Sequence, residues 1–289
     1  MMKHQTQSNL KLAQANTAQQ YQSMDIQFDE EHRLAWYLMG AHPRPCFTFE
    51  LVKEIQHWFR ELERSSSKEN TSPTYTVMAS KVDSVYNLGG DLNLFLRLIR
   101  NDDRESLMAY AIACNDILYR NHIGHGKNIT TISLVQGDAL GGGFEAAVSS
   151  DVVIAERSAK MGLPDILFNL FPGAGAYSML SRKIGMVEAE RLILSGKLYT
   201  AEQMYALGVV DILSEDGLGK QAVYDYVKKE SRFQNGYRAF REAKRCTNPL
   251  TFEELLNAAE IWVDAAFNLT SKDLRMMERL VKRQSARVQ

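Results

Sequence analysis

The stretch Gly137-Asp138-Ala139-Leu140-Gly141-Gly142-Gly143-Phe144-Glu145 follows a β-branched run, Ile129–Val135, and leads into the apolar Ala146-Ala147-Val148. The run predicts a strand, and Phe144–Ser149 predicts a helix. A second short strand is expected at Val152–Ala155. Strand, glycine turn, helix and strand make a βαβ unit, so the region defines an α/β fold with parallel strands. Glycines at the turn let the main chain approach a ligand closely. The first N–H groups of the helix have no partner inside it and carry partial positive charge.

A similar arrangement lies upstream. Thr74–Ala79 predicts a strand, Leu92–Leu98 opens a helix with room to run on into the next, and Ser106–Tyr119 predicts another helix. Between them stands Asn87-Leu88-Gly89-Gly90-Asp91. Two glycine turns of this kind in one domain can converge into a two-donor hole for an oxyanion. Glu145 sits among apolar neighbours, which disfavours its ionised form and raises its pKa. Downstream, Met161-Gly162-Leu163-Pro164-Asp165 places a second carboxylate in an apolar run, before Phe171-Pro172-Gly173-Ala174-Gly175-Ala176. Two such carboxylates beside a donor loop point to acid/base chemistry.

Other chemistries find no support. The chain lacks GxxxxGK[ST], GxGxxG, GxSxG and HExxH. His122 and His125 read as solvent-facing residues of a polar loop. Cys46, Cys114 and Cys246 are scattered, without CxxC spacing, so neither a zinc site nor a disulfide framework is expected. Lys+Arg number 34 against 35 Asp+Glu, a net charge of −1, which argues against a nucleic-acid binder. No apolar run approaches membrane-span length and the N-terminus has no signal-like apolar core, so a cytoplasmic location is expected.

The 289 residues divide unevenly. Residues 1–25 are polar and poor in bulk, which predicts a disordered tail. Met24–Phe28 and Leu34–Leu38 read as a hairpin, Phe49–Glu63 as an amphipathic helix and residues 65–73 as a polar loop. The α/β core is expected over 26–215. After Gly217 only helices are expected, at Lys220–Glu230, Phe252–Asn268 and Ser271–Arg287, forming a C-terminal region over 216–289 that either caps the core or offers a surface to another subunit.

These motifs resemble the crotonase (enoyl-CoA hydratase/isomerase) superfamily over about residues 26–289, most specifically within Val135–Gly175. The resemblance implies a ββα spiral core, a helical C-terminal region, and trimers or dimers of trimers. Val85–Leu92, Phe144, Phe168–Gly173 and Glu260–Asp264 look most similar to diffusible signal factor synthases. That similarity implies dehydration of 3-hydroxyacyl-[acyl carrier protein] to a cis-2-enoyl thioester, and thioester hydrolysis that releases a cis-2-unsaturated fatty acid quorum-sensing signal. An enoyl-CoA hydratase or isomerase acting on soluble CoA esters is the alternative. A weakly active crotonase-fold binding or regulatory module is a third reading.

Carried onto this chain, the N–H groups of Leu88 and Gly142 form the oxyanion hole. Glu145 and Asp165 are the catalytic carboxylates, with the acid and base roles open between them. Gly89, Gly90, Gly141 and Trp262 bind substrate, although Trp262 also reads as an ordinary core residue of an amphipathic helix. The family usually has Glu where Asp165 stands; the lost methylene retracts the carboxylate by roughly 1 Å, a misplacement that can cost about 10²-fold in rate. No metal and no cofactor are expected beyond the phosphopantetheine of the substrate's carrier. Expected partners are acyl carrier protein or acyl-CoA and a sensor protein. Arg97, Arg100 and Arg104, and Arg275, Arg279, Lys282, Arg283 and Arg287, are candidate docking cations for an acidic carrier.

Overall fold

The computed structural model describes residues 13–14, 21–65 and 73–286. The polar loop read at 65–73 lies almost wholly outside these residues. So do Arg287 and most of the expected tail, although the first strand of the core already begins at Met24.

The chain pairs β1 (Ala13–Gln14) with β2 (Met24–Asp29), and β2 with β3 (Leu34–Met39), all antiparallel. Helix α1 (Phe49–Ser65) follows. One unit then recurs: a longer strand, a three-residue strand and a helical segment. It is built by β4 (Tyr75–Ser80), β5 (Val85–Asn87), α2 (Leu92–Arg100) and α3 (Arg104–His122), then by β6 (Thr130–Val135), β7 (Asp138–Leu140) and α4 (Gly142–Val148). The third turn comprises β8 (Val152–Glu156), β9 (Lys160–Gly162), a 3-10 turn at Pro164–Phe168, α5 (Ala176–Ile184) and α6 (Met186–Ser195). Next come β10 (Leu198–Thr200), α7 (Ala201–Ala206), β11 (Ile212–Ser214), α8 (Gly219–Ser231), α9 (Gln234–Thr247), α10 (Phe252–Phe267) and α11 (Ser271–Ala286).

The longer strands form one sheet, ordered β1-β2-β3-β4-β6-β8-β11, and the short ones a second, ordered β10-β9-β7-β5. Strands β3, β4, β6, β8 and β11 are parallel neighbours, as are β5, β7 and β9. This is the ββα spiral of the crotonase fold. Both faces of the large sheet are covered, so its central strands carry bulk at every position. Trp36, Val77, Leu134 and Ile154 face Val223 and Val227 of α8, while Tyr37, Met78 and Val135 face the main core.

The long periodic elements fall where the sequence places them, and one helix, α9, lies outside every stretch so read. The segment 92–122 is two helices: Asn101 ends α2, Asp102 takes a left-handed φ of 54°, and Asp103 caps α3 by accepting from the Ser106 N–H at 3.0 Å. Helix α9 has no buried residue, so the apolar stripe that would reveal it is missing.

The two histidines correct the expectation of a solvated loop. His125 is buried against Phe59, with ring centroids 4.4 Å apart, and His122 is half-buried. Burial, helped by nearby arginines, pushes their pKa values down to about 3 and about 4. The unfolded chain takes up these protons below about pH 6.5, the folded chain only far lower, so each costs stability as pH falls from 6.5 towards 4. His125→Asn, which tolerates the left-handed φ of 54° at this position, should flatten the fall of Tm over that range. A slope equal to wild type would contradict this account.

Candidate active site

The turn after β5 is tied down on every side. Asn87 Oδ1 accepts from the Gly89 N–H at 2.8 Å, and the Gly89 carbonyl accepts from the Phe47 N–H at 2.7 Å. Asp91 caps α2 and pairs with Arg44 at 2.7 Å. The Leu88 N–H donates to the Pro45 carbonyl at 2.8 Å. That bond corrects the oxyanion-hole assignment: Leu88 contributes a side chain to the neighbouring cleft, and its N–H is engaged elsewhere. The Gly90 N–H, two residues on, has no acceptor among the described residues.

Helix α4 begins at Gly142 directly after β7. The Gly141 N–H donates to the Gly162 carbonyl at 2.9 Å, and the Gly141 carbonyl accepts from Phe144 and Glu145. The Gly142 N–H, in the first turn, likewise has no acceptor among the described residues. A Cβ placed on Gly142 would lie 3.3 Å from the Gly90 nitrogen, so the two N–H groups are adjacent. Gly143 packs so closely on the Asn87 carbonyl that no side chain fits there.

Glu145 is 3% exposed, and its Oε1 accepts from the N–H groups of Ala174 and Ala176 at 2.9 and 3.0 Å. The Gly173–Ala176 turn thus fixes the carboxylate. Burial, and then the charge of Asp165, push its pKa up to about 8 against the two N–H bonds. Asp165 sits in the 3-10 turn after Pro164, with its carboxylate oxygens 3.5 and 3.9 Å from the position of a Cβ on Gly141. Its Oδ2 is buried without a partner, and burial pushes its pKa up to about 6. Both carboxyls therefore hold their protons to higher pH than free ones, and the charge of Asp165 disfavours ionisation of Glu145.

Two cavities meet here. An inner chamber of about 60 Å³ is walled by α3, Trp262 of α10, Glu145 and the Gly173–Ala174 turn. An outer cleft of about 430 Å³ runs between the Leu140–Gly142 segment, the Pro164–Phe168 turn, Leu198 and Leu280 of α11. Gly90, Phe95, Gly142 and Asp165 line both and form the throat. Gly141 lines the outer cleft, whereas Gly89, expected to touch substrate, lines neither and packs against Leu140 and Gly142. Trp262 is both core and chamber wall, 5.1 Å from Phe95 edge-on.

Of the candidate docking cations, Arg100 pairs with Glu278 and Arg104 with Asp264. Arg97, Arg275, Arg279 and Lys282 are exposed. Among the described residues there is no group of three or more potential metal ligands, and no helix is long and apolar enough to cross a membrane.

A spiral of ββα turns that brings two free N–H groups, a buried carboxylate and a half-buried one to one throat defines an enoyl-CoA hydratase/isomerase-type protein. The model of that family, Enoyl-CoA hydratase/isomerase, matches residues 43–258, and the chain belongs to it. The fatty acid oxidation complex subunit alpha of Ectopseudomonas oleovorans is 30% identical over 168 residues, 58% of this chain and 23% of that one. Mitochondrial methylglutaconyl-CoA hydratase of Rattus norvegicus is 29% identical over 148 residues, 51% of this chain and 45% of that one. The chain therefore spans under half the length of these relatives. The crystal structure of enoyl-CoA hydratase from Bacillus halodurans superposes with a TM-score of 0.74 at 20% identity, covering 89% of this chain and 100% of that one.

Proposed function

We propose that the chain dehydrates 3-hydroxyacyl thioesters to 2-enoyl thioesters. The observation that carries this is the throat, where Asp165 and Glu145, held near pKa 6 and 8, face the paired Gly90 and Gly142 N–H groups. The two N–H groups take the thioester oxygen and acidify C2. Asp165, ionised near neutrality, removes the C2 proton as the enolate forms. Glu145, still protonated, donates to the departing 3-hydroxyl, and water leaves. The environment thus divides two carboxylates into base and acid.

The finer reading follows the resemblance to diffusible signal factor synthases. The substrate is carried on acyl carrier protein, the enoyl product is cis, and hydrolysis in the same hole releases a cis-2-unsaturated fatty acid. The exposed cations of α11 offer a surface for the acidic carrier, a sensor protein is a further partner, and the only prosthetic arm needed is the carrier's phosphopantetheine. Exposed apolar residues on α6, among them Met186, Val187 and Leu194, suit assembly into trimers or dimers of trimers, and the setting is cytoplasmic. The curated relatives favour a second reading, in which the same groups hydrate soluble enoyl-CoA esters. Incubation with 3-hydroxyacyl carrier protein and with crotonyl-CoA separates the two. Rapid hydration of crotonyl-CoA without free cis-2-enoic acid would reject the first.

The acid/base division sets a pH profile. Activity needs Asp165 ionised and Glu145 protonated, so kcat/KM should rise through about pH 6 and fall through about pH 8. The residual activity of Asp165→Asn should lose the rising limb; its persistence would show that another group is the base.

A further inference from the structure

We infer that Tyr110 is a positioning residue of the throat: its hydroxyl, tied to the main chain on both sides of the Gly89–Gly90 peptide, aims the Gly90 N–H at the thioester oxygen. The inference rests on the acyl-thioester reading and adds to it a side chain of α3 that acts on the reaction through the backbone.

The Gly89–Gly90 peptide is trans; among the described residues the one cis bond is His42–Pro43. A planar trans peptide points its C=O and its N–H in opposite directions. Whatever fixes the Gly89 carbonyl therefore fixes the direction of the Gly90 N–H. The Phe47 N–H does so, donating to that carbonyl at 2.7 Å. The segment before Phe47 runs beside the turn as a short rail. Its Pro45 carbonyl accepts from the Leu88 N–H at 2.8 Å, and Phe47 itself forms an isolated parallel bridge with Gly90.

Tyr110 anchors that rail from the other side. Its hydroxyl donates to the Phe47 carbonyl at 2.6 Å and accepts from the Asp91 N–H at 3.4 Å. One oxygen thus joins the residue that holds Gly89 to the residue that follows Gly90. The ring is itself held. It is 3% exposed, on α3, and stands edge-on to Phe95 at 5.4 Å. Phe95 in turn abuts the turn, since a Cβ on Gly90 would come within 2.5 Å of its ring. Burial pushes the phenol pKa well above its usual value, so the proton that bonds Phe47 stays in place. Phenylalanine at this position fills the same space without either bond. The Phe47 carbonyl and the Asp91 N–H then lose a buried partner, the rail is free to shift, and the Gly90 N–H swings with it. Such a donor counts most when the oxyanion has developed, so its loss of aim falls on turnover more than on binding.

The test compares Tyr110→Phe with Tyr37→Phe. The second variant also loses one buried hydroxyl, which donates to Asn121 Oδ1 at 3.3 Å, but Tyr37 lines neither cavity. Polarisation is read by difference infrared spectroscopy of bound butanoyl-CoA carrying carbon-13 at its carbonyl, a thioester with no 3-hydroxyl to lose. The wild-type protein and Tyr37→Phe should move the carbonyl band to lower frequency. Tyr110→Phe should bind the ester, which shows that it is folded, and lose most of that shift. Turnover of 3-hydroxyacyl thioesters is measured separately. In Tyr110→Phe kcat should fall by roughly 10- to 10²-fold, with KM little changed and both limbs of the pH profile in place, because neither carboxylate is touched. A full band shift in Tyr110→Phe, no shift in the wild-type protein, or equal losses in the two variants would overturn the inference. If the band behaves as expected and the wild-type protein dehydrates nothing, the role of Tyr110 stands and the reaction reading falls.

Discussion

Gly142→Ala should lower kcat/KM by about 10²- to 10³-fold while leaving the protein folded, the loss typical of one oxyanion-hole donor. The added methyl would sit 3.3 Å from the Gly90 nitrogen, with its other neighbours at 3.5 Å or more. An oxygen accepting from Gly90 needs almost that same point, about 2.9 Å from the nitrogen. The methyl therefore crowds the Gly90 N–H and is accommodated by a shift of a few tenths of an ångström, and Gly142 opens a helix, where alanine is well tolerated. Gly143→Ala is the control. There the methyl runs into the Asn87 carbonyl, so that variant should lose stability. A Gly142→Ala protein with normal turnover would remove Gly142 from the hole.

Glu145→Gln should lower dehydration by about 10²- to 10⁴-fold, the range for loss of a positioned acid or base. It should also stabilise the protein at high pH. The sign follows from the raised pKa: folded Glu145 keeps its proton to about pH 8, whereas the unfolded carboxyl loses it near 4.5. Protonated Glu145 favours folding fully below the lower value, and that contribution is lost as pH rises through the higher one. At pH 9 the wild type buries a charge beside the charge of Asp165, at a cost on the order of several kcal/mol. Glutamine carries no charge, and its amide oxygen can still accept from Ala174 and Ala176. The melting temperature of Glu145→Gln should exceed that of wild type at pH 9 and approach it at pH 5. The reverse order would mean that Glu145 is a structural ion and not a held proton.

Much of the fold is legible because long elements carry periodic apolar patterns. Helices α1 and α10 are such elements, whereas strands β3, β4 and β6, covered on both faces, register as continuous runs. The second sheet is not, since β5, β7, β9 and β10 have three residues each, too few for a period of two to register. Helix α9 buries nothing and so leaves no stripe. Within the site, the carboxylates are legible because each is a lone charge among apolar neighbours. The donor pair is only half legible. The Gly89 N–H is engaged by the nearby Asn87 side chain, but the Leu88 N–H is engaged by the Pro45 carbonyl, some 40 residues earlier, and no local pattern reports that bond. The same holds for His125, whose polar sequence neighbours conceal a ring buried against Phe59.

The surroundings of Asp165 and Glu145, on which the proposed division of roles rests, are not legible in the sequence. Asp165 is the shorter side chain, yet it lines both cavities at the throat. Glu145 is fixed by the Ala174 and Ala176 N–H groups inside the chamber. The turn after Pro164 thus brings the shorter carboxylate to the throat between the two cavities.

The account stands most directly on one measurement: mass spectrometry of the acyl products after purified protein is incubated with a 3-hydroxyacyl carrier protein, alongside the Glu145→Gln variant. The account predicts a 2-enoyl thioester and free cis-2-enoic acid with the wild-type protein, and a loss of both by at least about 10²-fold in the variant. Unchanged 3-hydroxyacyl substrate with the wild type, or equal product from both proteins, would contradict it.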